Sequence, residues 1–118
     1  MTGEGGEAAC WAHLVDADDA RPGSGVVWSL PHGGDLDGNL VHLRPGAVID
    51  PHVNAELDVL IVVWSGSGRL TVDGVARELE RGVATVVPKG AERSIAALDD
   101  LRYLSIHRHR DTLSISPR

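Results

Sequence analysis

Phenylalanine is absent from this 118-residue chain and tyrosine occurs once, so its interior has to be built from aliphatic side chains and at most three tryptophans. Cysteine also occurs once, at Cys10, which leaves no intrachain disulfide to staple a small fold and points to a reducing, cytoplasmic setting. No apolar run approaches the ~20 residues of a membrane span. The stretch from Met1 to Ala9 is rich in Gly and Glu, unlike a basic-then-apolar leader, and reads as a flexible tail. Basic residues are outnumbered, and the formal net charge of −6 argues against nucleic acid and anionic lipid as partners. A small molecule or another protein chain remains. No ten-residue stretch has helical periodicity, which leaves an all-β chain.

What the chain does have is short β-rich runs separated by Gly, Pro and Asp. "WAHLV", "GVVWSL", "NLVHL", the run Val59 to Trp64, "VATVV", "RSIAAL" and "LRYLSIHR" follow one another at regular spacing. The sharpest local signal is "RLTVDGVARELE", where Asp73-Gly74 sits between two alternating runs. That dipeptide suits a two-residue type I′ turn, with positive φ at both central residues. Eight to ten strands of this kind predict a β-sandwich or barrel occupying residues 10–118 as one domain, without repeats or a linker.

Two glycine-led segments carry a family resemblance. In the first, Gly46 is followed after five residues by His52, then Asn54, then Asp58. This resembles the first cupin motif, Gly-x5-His-x-His-x3,4-Glu-x6-Gly. In the second, Gly82, Pro88 and Gly90 match the Gly-x5-Pro-x-Gly half of the second cupin motif. The likeness spans about residues 40 to 110 and implies an RmlC-like jelly-roll β-barrel, a double-stranded β-helix, with a pocket in its mouth and a tendency to pair into homodimers. Between Asp58 and Gly66 lie seven residues where the motif has six, so a β-bulge is expected to absorb the extra one.

The resemblance also implies a ligand set for a divalent transition metal, and here this chain departs from the pattern. Cupins that use a metal hold it with two histidines and an acid of the first motif plus a histidine of the second. Here His52 keeps its place, Asn54 replaces the second histidine, Glu56 or Asp58 has to supply the acid, and the position three past Gly90 is Arg93. A guanidinium does not deprotonate to become a ligand and repels a cation. No metal is therefore favoured. Arg93 is expected to supply the positive charge itself, in a forked hydrogen bond to Asp58 or Glu56 or facing an anionic ligand, the alternative being a solvent-facing arginine. With an acid as partner, Arg93→Ala would lower stability at neutral pH more than in acid.

Strand parity completes the candidate site. Tyr103, Ser105, His107 and His109 share one face of the last strand, so Tyr103 and His107 could join His52 at the pocket. If His42 and His107 converged with His52 and Asp58, a rearranged metal site would exist. Trp64 is expected in the core or a dimer contact, with a ligand-stacking wall as the alternative. The candidate pocket residues are thus His52, Asn54, Glu56, Asp58, Arg93, Tyr103 and His107, with His52 the candidate catalytic group. Nothing resembles a nucleophile with its base. Three functions follow in order of preference. The first is a binding protein for a small polar or anionic molecule. The second is a cupin enzyme, either a metal-dependent dioxygenase or a metal-free isomerase or cyclase using His52 and an acid. The third is a dimeric scaffold without ligand.

Overall fold

In the computed structural model, which describes residues 12–14, 24–31 and 34–109, nine strands follow one another with short connections. They are β1 (Gly25–Ser29), β2 (Leu36–Leu43), β3 (Val48–Val53), β4 (Val59–Ser65), β5 (Ser67–Val72), β6 (Val75–Glu80), β7 (Ala84–Val87), β8 (Glu92–Ala97) and β9 (Leu101–Arg108). All pairings are antiparallel. One sheet has the order β1-β2-β9-β4-β7 and the other β3-β8-β5-β6, so from β2 onward the chain passes repeatedly from one sheet to the other. That is the sandwich or barrel expected of the short strands, in the jelly-roll form that the cupin resemblance implies. The proposed tail, residues 1–9, lies outside the described residues. So do both ends of the "WAHLV" run; its described residues 12–14 are not part of a strand.

The sequence signals act where they were placed. Asp73 (φ 48°) and Gly74 (φ 84°) both lie in the left-handed region and close the β5–β6 hairpin, with Val72 paired to Val75. The motif glycines anchor crossovers through backbone hydrogen bonds: Gly46 N–H donates to Ala97 O (2.9 Å), Gly82 N–H to Val63 O (2.9 Å) and Gly90 N–H to Asn54 O (2.8 Å). The bulge required by the extra residue after Asp58 is present, as a register shift in the β4–β9 pairing between Val63 and Ser65.

The two sheets face each other across an aliphatic core. Leu43, Val63, Leu70, Leu79, Ala97 and Leu101 fill the half of the barrel nearer the β4–β5 and β8–β9 corners, and Val87 is buried beside Val59 at the other end of β4. Each fully buried Leu or Val contributes roughly 1.5–3 kcal/mol relative to exposure. Toward the other half, the lining is Val and Ile with polar residues, and no large aromatic besides Tyr103 occupies it. The barrel therefore stays open there.

Candidate functional site

The open half holds a cavity of about 190 Å³ between β2, β4 and β9 on one side and β3 and β8 on the other. Its apolar walls are Val26, Val41, Ile49, Val59, Ile61 and Ile95, and its polar members are Asn39, His52, Arg93, Tyr103 and Ser105. Period-two alternation selects them: Asn39 and Val41 on β2, Val59 and Ile61 on β4, Tyr103 and Ser105 on β9, Arg93 and Ile95 on β8. Ile49 and His52 are three residues apart and would fall on opposite faces of a regular strand. A register shift between them in the β3–β8 pairing allows both to line the cavity, and it sets His52 directly across from Arg93.

His52 and Arg93 are hydrogen-bonded. Arg93 Nε–H donates to His52 Nε2 at 2.9 Å, and His52 Nδ1 lies 3.0 Å from the Asp50 carbonyl oxygen. A guanidinium nitrogen can only donate, so Nε2 is the acceptor and the proton sits on Nδ1, facing the carbonyl. The imidazole in this arrangement is neutral. Arg93 Nη1 is buried and has no hydrogen-bond partner among the described residues. Desolvation lowers the Arg93 pKa from its ordinary value, partly countered by nearby Tyr103. The group nonetheless stays charged at neutral pH.

Tyr103 is 3 % exposed, and burial pushes its phenol up to about 12 against the opposing pull of Arg93. In the unfolded chain the proton leaves near ~10. Between these two values the folded state holds a proton that the unfolded state has lost, so stability falls as pH rises through the window. Below the lower value the contribution is complete; a difference of this size is worth about 3 kcal/mol. Because this is the only tyrosine in the chain, its phenolate absorbance reports the site directly. We expect the folded protein to titrate well above the urea-unfolded chain, and Tyr103→Phe to remove most of the stability loss between pH 9 and 11. A folded titration superimposing on the unfolded one would contradict the burial.

The remaining candidates serve the surrounding loops or face elsewhere. Asn54 Oδ1 accepts the backbone N–H groups of Glu56 and Leu57, both at 3.0 Å, and so closes the turn after β3. Asp58 Oδ1 accepts the Lys89 N–H at 2.8 Å and steadies the Pro88–Gly90 turn. Neither it nor Glu56 receives a hydrogen bond from Arg93, so the expected forked pair is replaced by the contact with His52. The β3–β8 register places the imidazole opposite the arginine, while both acids lie in the loop beyond β3. Glu56 is exposed and borders an outer groove of about 360 Å³ that shares His52 and Arg93 with the cavity.

His107 is half-buried, with Nδ1 2.8 Å from the Arg108 carbonyl, and does not line the cavity. His109 Nδ1 lies 2.9 Å from Asp37 Oδ1. His42 belongs to the opposite face of β2 from Asn39 and Val41. It is buried there with Nε2 3.0 Å from Asp100 Oδ1, a hydrogen bond that holds the Asp100 carboxyl below its ordinary value. Trp64 alternates with inward Val59, Ile61 and Val63, which puts it on the outer face with Leu60 and Val62 and away from the cavity. Asn39 and Ser105, which the sequence reasoning left out of the site, are cross-strand partners on the Tyr103 face. The parity of Ser105 with Tyr103 was the signal that could have found it.

This donor set does not fit the metal implied by the first-motif resemblance. His52 Nε2, Asn54 Oδ1 and Asp58 Oδ1 are engaged as described, His42 is on the far face, and His107 turns to a carbonyl. Among the described residues no three His, Cys, Asp or Glu side chains gather to hold a metal ion.

The two-sheet barrel, the anchoring glycines and the cavity at its open end are those of a cupin, and residues 39–107 match the Cupin_2 family, "Cupin domain". The chain belongs to this family. Over 94 residues it is 28% identical to the dimethylsulfoniopropionate lyase DddW of Ruegeria pomeroyi, a match covering 79% of this chain and 54% of the lyase. The chain thus spans about half the length of this curated relative. Among solved structures, KdgF from a Halomonas species superimposes with a TM-score of 0.66 at 27% identity, covering 73% of this chain and 80% of that one. A cupin-2 domain protein of Shewanella frigidimarina superimposes with a TM-score of 0.69 at 19% identity, covering 83% and 94%, and supports the fold alone.

Proposed function

We propose that this cupin binds a small organic molecule in the barrel cavity, with the ligand's polar end at the His52–Arg93 pair and Arg93 supplying the positive charge that a metal ion supplies in other cupins. The observation that carries the reading is the buried, unpartnered Nη1 of Arg93 beside an aliphatic cavity of about 190 Å³. A buried donor without an acceptor costs roughly 1–3 kcal/mol. A ligand that supplies the acceptor recovers this, which favours the bound state.

Thermal-shift screening of the full chain with small neutral, anionic and polar compounds tests the proposal. A ligand at about a hundred times its Kd adds ~2.7 kcal/mol, which raises the Tm of a domain of this size by roughly 10 °C. No stabiliser in a broad screen, with the protein mass unchanged by added compounds, would leave the scaffold reading standing instead.

A second reading, a cupin enzyme, is supported by the similarity to a lyase. Proton transfer by His52 would require its Nε2, now accepting from Arg93, to be released. Elemental analysis separates the versions of this reading. A stoichiometric transition metal that disappears in His52→Ala would favour a metal-dependent enzyme over the proposal.

A further inference from the structure

We infer that the cavity takes a short-chain monocarboxylate, with the carboxylate on Arg93 Nη1 and the Tyr103 hydroxyl and the hydrocarbon body among Val41, Ile49, Ile61 and Ile95. This deepens the binding proposal above and rests on it.

Charge comes first. Arg93 is the only lining residue with a formal charge, and the hydrogen bond it donates occupies His52 Nε2. One half-buried positive charge is balanced by one negative charge. A dianion such as a phosphate monoester would bring a second charge into a low-dielectric wall with nothing to meet it.

Hydrogen-bond character comes next. Arg93 Nη1 only donates. Tyr103 and Ser105 have hydroxyls that make no hydrogen bond among the described residues, and Asn39 has its Oδ1 occupied by the Ser29 hydroxyl at 2.6 Å, which leaves its N–H groups. Donors therefore dominate the polar side of the cavity, and they suit the two acceptor oxygens of a carboxylate. A cationic head group would bring donors to donors, and an amide has one acceptor oxygen where a carboxylate has two. The hydroxyl-rich body of a sugar would leave its polar groups against valine and isoleucine.

At ~30 Å³ per water the cavity has room for about six waters, which corresponds to a ligand of similarly few non-hydrogen atoms, such as a branched C4 to C6 acid.

Isothermal titration calorimetry on the full chain tests this with isovalerate and hexanoate as probes, isovaleramide and isopentanol as uncharged counterparts, and inorganic phosphate as the dianion. The expected result is carboxylate binding at least about tenfold tighter than the amide or alcohol, the size of one charge-assisted hydrogen bond. Arg93→Gln is expected to lower carboxylate affinity by at least about tenfold and Tyr103→Phe, which keeps the ring, by about three- to tenfold. Equal binding of amide and acid, tighter binding of phosphate, or wild-type affinity in both variants would overturn the inference. If an uncharged counterpart binds and the acids do not, the ligand class is wrong and the binding proposal stands. If no probe binds while the thermal screen yields a stabiliser of another class, the outcome is the same. Silence in both experiments removes the two together.

Discussion

Gly66→Ala is expected to remove about 4 kcal/mol or more of folding stability, enough to leave the protein marginal or unfolded at ambient temperature. Gly66 sits at the corner where the chain leaves β4 in one sheet for β5 in the other, and this corner rests on the β8–β9 corner. A Cβ at position 66 would lie 1.6 Å from the Asp100 carbonyl oxygen, 2.5 Å from its carbon and 2.8 Å from Leu101 Cα. All three are backbone atoms, so no rotamer change relieves the overlap. The corner is also tied by Leu98 and Asp99 N–H groups donating to Ser67 O at 3.0 and 3.2 Å. Moving it displaces Leu101, which is fully buried in the core. Gly46→Ala is the control. Its φ of 86° resembles the 83° of Gly66, but nothing lies within 4 Å of the added Cβ. It should cost only the ~1–2 kcal/mol of a left-handed alanine. Equal urea midpoints for the two variants would show that the corners do not touch as described.

Arg93→Met is expected to raise stability by about 1 kcal/mol while abolishing the response to any ligand that stabilises the wild type. The side chain keeps apolar bulk in the wall, and the substitution removes a buried guanidinium nitrogen with nothing to bond. What is lost is the hydrogen bond to His52, whose ring is exposed and finds water instead. This reverses the sign expected for an arginine paired with an acid, because removing it leaves a neutral imidazole rather than a buried carboxylate. Urea unfolding checks the first half and thermal shift with a confirmed binder the second. A marked loss of stability would mean that Arg93 is a structural residue, and the binding proposal would lose its main support.

Features encoded by local chemistry were legible in the sequence, and those depending on cross-strand register were not. Asp73-Gly74 needs only its own backbone preferences to make a turn, and Gly46, Gly82 and Gly90 mark crossovers in the same local way. Counting the residues between Asp58 and Gly66 foretold the bulge, yet not that it falls after Val63, with Trp64 on the face of β4 away from the cavity. The partner of Arg93 depends on a second irregularity, between Ile49 and His52, which no residue announces. Asp58 and Glu56 were plausible partners by type. Asp58 is held instead by the Lys89 amide, and position alone decides that. Parity did place Tyr103 and Ser105 on one face, and both line the cavity.

Asn54 has a consequence for how this protein can change. Its side-chain oxygen holds two amides of the turn that follows β3, a task a histidine ring cannot perform in the same position. Substituting histidine there would regain one letter of the metal motif while undoing the bend that carries Glu56 and Leu57. Arg93 would still stand across from His52. A metal site is thus not one substitution away: positions 54 and 93 would both have to change, and the turn after β3 would need another acceptor for its amides.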